Sequence, residues 1–223
     1  MKKLIAILLT LMVTAILCGT SVIASDSQPS AKVTAQIAEL DVMAAAATTG
    51  EDVDWDLDAD TILTQTIKTA NQKDLVIDVS LLSGLYTGTV VKSKGGITDT
   101  SGAAAAVVVA VFVDDAIVFP GYPVVFEGRM QILTATLGGY LVDDVLTDEE
   151  IGLIIGTLSA NAFNFIAPDL PVGVHTVEVK AACFAGAFSE QGSASAIAAI
   201  GLGSVVIESV RMIKAEDVII ELE

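Results

Sequence analysis

From residue 61 onward the chain alternates short β-branched and apolar runs with clusters of Gly, Pro, Asn and Asp, and this punctuation constrains the fold more than any other feature. Leu75, Ile77, Val79 and Leu81 share one side of an extended segment, a period of two. Tyr86 to Lys92 follows a Ser83-Gly84 turn, and residues 92–102 are loop-like in composition. Ala103 to Val113 is apolar throughout, too short to span a bilayer as a helix and suited to a strand buried on both faces. Turns at Asp114-Asp115 and Pro120 to Pro123 separate it from residues 117–119, 124–126 and 131–137. Further runs fall at 175–182, 194–200, 204–213 and 218–222. About ten strands, with turn signals about every 8–12 residues, predict an all-β antiparallel sandwich of the jelly-roll or immunoglobulin-like kind.

Two segments depart from that pattern. Thr147 followed by Glu150 has the form of a capping box, and Ile151, Ile154, Ile155 and Leu158 then follow helical spacing. A single short helix near 147–160 is the expectation. Residues 31–43 fit either period, since Val33, Ala35 and Ile37 alternate while Val33, Ile37 and Leu40 suit a helix. Such a segment could pair with its own sheet or with a neighbour's. No repeat of 20–50 residues is visible, which argues against a solenoid or propeller.

Lys2 and Lys3, the apolar run Leu4 to Leu17 and the small residues ending at Ala24 have the layout of a secretory signal peptide, cleaved before Ser25. Lipidation at Cys18 is the alternative, although Leu17 is bulky for the position before a lipidated cysteine. The expected organisation is a signal peptide at 1–24, an N-terminal segment and acidic linker at 25–60, and a β-sandwich at 61–223. No membrane span remains after cleavage. The only other cysteine is Cys183, in a small and apolar context without a base, so the exported domain relies on its core, not on an internal disulfide.

The 223 residues carry 11 Lys+Arg against 28 Asp+Glu, a formal net of −17. Removing Lys2 and Lys3 with the first 24 residues leaves 9 against 28, or −19. That balance excludes non-specific nucleic-acid binding, which depends on neutralising phosphates. The acids concentrate at 51–60, where Asp52, Asp54, Asp56, Asp58 and Asp60 sit two apart. In an extended chain they share one face about 7 Å apart and repel unless hydrated or bound to a cation. Hard oxygen donors suit Ca²⁺. The run is not an EF-hand loop, because Leu57 stands at the glycine position and Leu63 at the bidentate glutamate. A second cluster, Asp143, Asp144, Asp148, Glu149 and Glu150, reads as favouring the positive end of the expected helix.

His175, the single histidine, lies in the segment Leu170, Pro171, Gly173, His175, Thr176, Val177. This pattern within residues 169–180 resembles strand-entry segments of extracellular β-sandwich domains in bacterial and archaeal surface proteins. The resemblance implies a structural histidine tucked at a strand start against a backbone partner. Nucleophile elbows, P-loops, dinucleotide loops and zinc, haem or iron–sulfur ligand sets are missing from the sequence. The leading expectation is therefore a non-enzymatic, exported sandwich acting by self-assembly or surface display, with Ca²⁺ as a candidate cofactor. A glycan- or ligand-binding module built on Trp55 beside the acidic run is the alternative. A secreted hydrolase using two carboxylates is the third reading, since 28 acids place some pair about 5–10 Å apart by chance.

Overall fold

The computed structural model describes residues 32–50 and 59–212. The strands run in the order β1 (Val33–Thr48), β2 (Asp60–Thr69), β3 (Lys73–Ser93), β4 (Ile97–Val113), β5 (Ala116–Ile117), β6 (Val124–Leu137), β7 (Tyr140–Val142), β8 (Val145–Thr147), β9 (Glu149–Leu170), β10 (Gly173–Ser189) and β11 (Ser193–Val210). One sheet has the order β1-β11-β3-β9, and the other β2-β10-β4, with β5 and β6 both pairing with β4. Each strand pairing is antiparallel, and β7 and β8 form a separate hairpin. The two sheets pack face to face as the expected all-β sandwich. β3 holds 21 residues, so at about 3.3 Å per residue the sandwich is about 70 Å long.

Local chemistry fixes the tight connections. Asp114 and Asp115 (φ 50° and 66°) join β4 to β5, and Asp143 and Asp144 (φ 49° and 63°) join β7 to β8. Two successive positive φ values make the turn whose twist matches a hairpin, and aspartate tolerates that region better than most residues. Alternation then sorts side chains between the faces. Leu75, Ile77, Val79 and Leu81 of β3 point inward, against Val107, Val109 and Val111 of β4, Val177 and Val179 of β10 and Ile200, Val205 and Ile207 of β11. Toward the far end of β3 the inward positions become polar. Thr87 and Thr89 are fully buried, where Gln131 of β6 bonds to Thr87 Oγ1 (3.0 Å) and Thr89 Oγ1 (2.6 Å). Ser83 donates to Glu127 in the same layer.

Carboxylates stitch the ends together. Asp99, completely buried, accepts from Lys92 N at 2.6 Å and from Gln191 N at 3.0 Å, joining the β3–β4 and β10–β11 turns. Asp74 does the same at the opposite end, accepting from Asp169 N (2.9 Å) and Met212 N (2.8 Å).

Two expectations are corrected. Residues 147–160 are not a helix: Thr147 ends β8, and Glu149 to Leu158 begin the long strand β9. Helical spacing there satisfied only local geometry. The alternative offered a backbone ladder along β3 from Leu82 to Ser93, which a helix would have left unpaired. Thr147 Oγ1 accordingly bonds to Val145 O and caps nothing. Residues 33–48 form β1, paired with β11 of the same chain, so the sandwich begins at Val33 and not at residue 61. The period-two reading of that segment was the right one.

Candidate interaction surface

Asp52, Asp54, Asp56, Asp58 and Trp55 lie outside the described residues, and only Asp60 of that set is placed, exposed at the start of β2 opposite Ala181. Among the described residues, no group of three or more His, Cys, Asp or Glu is placed to hold a metal ion. The second acidic cluster is dispersed into structural tasks. Asp143 and Asp144 make the β7–β8 turn, Glu149 accepts from Gly139 N at 3.0 Å, and Asp148 pairs with Lys94 at 3.6 Å. Glu150 pairs with Lys92 at 3.1 Å, and that hydrogen bond and charge hold the Lys92 ammonium above its ordinary pKa.

His175 sits at the start of β10, 2 % exposed. Its Nδ1 lies 2.7 Å from Asp114 Oδ2. Its Nε2 lies 2.9 Å from Pro171 O and 3.3 Å from Thr69 Oγ1. The ring thereby ties the β4–β5 turn to the β9–β10 turn, and a backbone carbonyl is among its partners.

Cys183 points into the sandwich toward β1, with its Sγ 3.6 Å from Met43 O. Burial pushes its pKa from 9.0 up to about 11, so the reactive thiolate is scarce at neutral pH. In the native protein Cys183 should resist iodoacetamide at pH 7.5 and be labelled once the chain is unfolded in urea, as read from the mass of the peptide that carries it. Equal labelling in both states would contradict this placement. The same shift has a defined sign for stability. Above pH 9.0 the unfolded thiol ionises first, so this contribution falls as pH rises to about 11.

The surfaces with most to bind are the outer faces of the sheets. On the β1-β11-β3-β9 sheet, cross-strand register aligns Ala46, Ile197, Tyr86 and Gly156 on one rung, and Ala44, Ala199, Gly84 and Leu158 on the next. Leu202, Leu82 and Ala160 follow. Leu158 is 73 % exposed and Ile154 69 %. Along β3 and β9 the strip is bounded by Lys92 and Glu150 at one end and by Asp78 at the other; between residues 80 and 90 of β3 these two strands carry no charge on this face. At about 3.3 Å per residue and about 4.8 Å per strand the strip covers about 480 Å² over β11, β3 and β9, within the range of the largest apolar patches ordinary monomers expose; on β1, Glu39 stands opposite Leu202. Gly84, Tyr86, Gly156, Leu158, Ile197 and Ala199 line a shallow hollow of about 570 Å³ within it.

The opposite outer face carries a narrower furrow of about 280 Å³, floored by Ala104, Ala106, Gly128 and Gly186 and flanked by Met130 and Phe184. Here the sequence misled in part. Ala103 to Val113 reads as buried on both sides, and the structure bears this out only in part: Ala103, Ala105, Val107, Val109, Val111 and Val113 face the core, whereas of the outward-facing alternate residues Ala110 is buried and the others are half-buried. The lateral edges are partly closed by side chains crossing from sheet to sheet. Gln65 Nε2 of β2 donates to Ala35 O of β1 at 3.2 Å. Gln131 Nε2 and Arg129 Nη1 of β6 donate to Leu153 O and Ile155 O of β9 at 2.9 and 3.0 Å. None of these four strands can be recognised as an edge from its sequence alone, and the outer strip escaped notice because small and apolar residues stand where polar alternation was expected.

No protein-family model matches the chain, and no curated protein matches it. Among solved structures it is similar to infectious bursal disease virus, Gx strain, at 13 % identity and TM-score 0.23, covering 81 % of this chain and 38 % of that one. A T13 particle of the same virus gives 11 % and 0.23, covering 82 % and 40 %. Its VP2 subviral particle gives 10 % and 0.18, covering 82 % and 42 %. The chain thus spans about two-fifths of the viral chains, and likeness at this level carries no argument about activity. These are viral structures and not the bacterial or archaeal surface proteins expected from residues 169–180.

Proposed function

We propose that the protein is an exported, non-enzymatic β-sandwich that works by self-assembly or surface display, as a subunit of an extracellular filament, matrix or surface layer. The outer strip of β11, β3 and β9, which bears no charge between residues 80 and 90 of β3, carries this reading, because the largest contiguous apolar patch of a domain is often its site of association. Export rests on the basic, apolar and small-residue order of residues 1–24. Calcium enters through the acidic run at 51–60, which joins β1 to β2 and supplies hard oxygen ligands. With a net charge of −19 once residues 1–24 are removed, the copies repel at low ionic strength, so a divalent cation or added salt favours their approach.

The test is molar mass by light scattering across a concentration series, with calcium and then with EGTA. Mass is expected to rise with concentration and to rise further with calcium. A monomer at every concentration would overturn the assembly reading and move attention to glycan binding at Trp55.

A further inference from the structure

We infer that a second copy of this chain covers the outer face of the β1-β11-β3-β9 sheet, so that assembly proceeds face to face and not by strand addition at an edge. This inference rests on the self-assembly reading and names the surface that performs it. Three observations choose the occupant.

The first is electrostatic. A chain with 28 acids against 11 bases meets its own copies with repulsion wherever its charges face outward. Two outer faces escape this, the strip on β11, β3 and β9 and the stretch of β10, β4 and β6 around Met130 and Ile132, and the strip holds the larger hollow, about 570 Å³ against about 280 Å³. The strip between the Lys92–Glu150 rung and Asp78 is where β3 and β9 present no charge outward. A cationic partner would gain nothing there, whereas a like-charged copy can approach along that strip without opposing another charge.

The second is shape. Leu158 and Ile154 stand out from β9, and Gly156 lies between them, where an added side chain would meet nothing. Projection and hollow therefore share one surface. A two-fold interface requires that, since the same patch must supply both halves of the contact. The strip's area of about 480 Å² per copy is about three-fifths of the roughly 800 Å² that each partner buries in a standard stable interface, which fits a weak, concentration-dependent pairing.

The third concerns the edges. Ala35 O on β1 and Leu153 O and Ile155 O on β9 already accept hydrogen bonds from Gln65, Gln131 and Arg129 across the sandwich. An incoming strand would have to displace those donors before pairing. The segment 31–43, which in sequence could reach a neighbour, is committed through β1 to β11 of its own chain.

Sedimentation velocity on the full-length protein, with three variants, tests the inference. Leu158→Asp and Ile154→Asp each place a carboxylate on the strip at a well-exposed position, so the fold tolerates them, as unchanged melting curves will verify. Each is expected to raise the dissociation constant about tenfold or more, because burying a charge within an apolar contact is strongly opposed. Met130→Asp, on the outer face of the other sheet, is expected to leave it unchanged. Loss of association in Met130→Asp with retention in both strip variants would overturn the inference while leaving self-assembly standing. A wild-type protein that stays monomeric would overturn both.

Discussion

Asp99→Asn should lower the unfolding free energy by about 3 kcal/mol, seen as a reduced urea midpoint at unchanged slope. The carboxylate is fully buried and uses its two oxygens on two backbone donors from different turns, Lys92 N and Gln191 N. An amide keeps one acceptor and turns an NH₂ group toward the other N–H. One buried donor is then unsatisfied and faces another donor. Because Lys92 belongs to β3 and Gln191 to the β10–β11 turn, the loss is felt in both sheets. Asp115→Asn is the control, since Asp115 is exposed in a turn whose positive φ asparagine also tolerates. Its effect should stay within about 0.5 kcal/mol. Equal effects for the two substitutions would show that Asp99 does not organise the turns.

Gly192→Ala acts on the same knot and is expected to cost about 3 kcal/mol or more. A Cβ at this position would lie 1.8 Å from Val90 O and 2.7 Å from Val90 C, and 3.1 Å from Asp99 Oδ2. The obstructing atoms are backbone, in a strand that pairs on both sides along its length, so they cannot swing away as a flexible side chain would. Either the β10–β11 turn or β3 must shift, and both arrangements disturb the Asp99 bonds. Gly156→Ala provides the comparison, because a Cβ there meets nothing within 4 Å. Thermal unfolding of the two variants should therefore separate clearly. Similar melting temperatures would mean that the turn relaxes freely, and the close approach of Gly192 to β3 would lose its structural role.

The strands of the core were readable because their side chains alternate. Leu75 to Leu81 reveals its buried face directly, and the Asp and Gly turns mark where each hairpin reverses. Residues 147–160 were misread for a physical reason: Ile151, Ile154, Ile155 and Leu158 satisfy a helical face locally. The competing ladder lies on β3, more than 50 residues earlier in the chain for every pair in this stretch. Long-range pairing of that kind leaves no local trace. The N-terminal strand was ambiguous for the same reason, since Val33, Ile37 and Leu40 suit either period until β11 is present to pair with it.

The surface was legible only in outline. The sequence showed an apolar fraction of 53 % without showing that much of it faces outward. On β9 and β3, glycine and alanine alternate with Leu158, Tyr86 and Ile154, so neither a polar outer face nor a deep core announces itself. The acids carried a misleading weight. Asp143, Asp144, Asp148, Glu149 and Glu150 look like a cluster in sequence, but folding gives the first two to a turn and the others to separate partners.

Small-angle X-ray scattering on the wild-type protein, at rising concentration in calcium, tests face-to-face assembly most directly. A single sandwich is about 70 Å long, set by its longest strands. Pairing through the outer strip thickens the particle and leaves that length nearly unchanged, so the radius of gyration of the cross-section should grow while the longest dimension hardly moves. Growth of the longest dimension at constant cross-section would mean that copies join at their ends, and the account given for the β1-β11-β3-β9 face would be wrong.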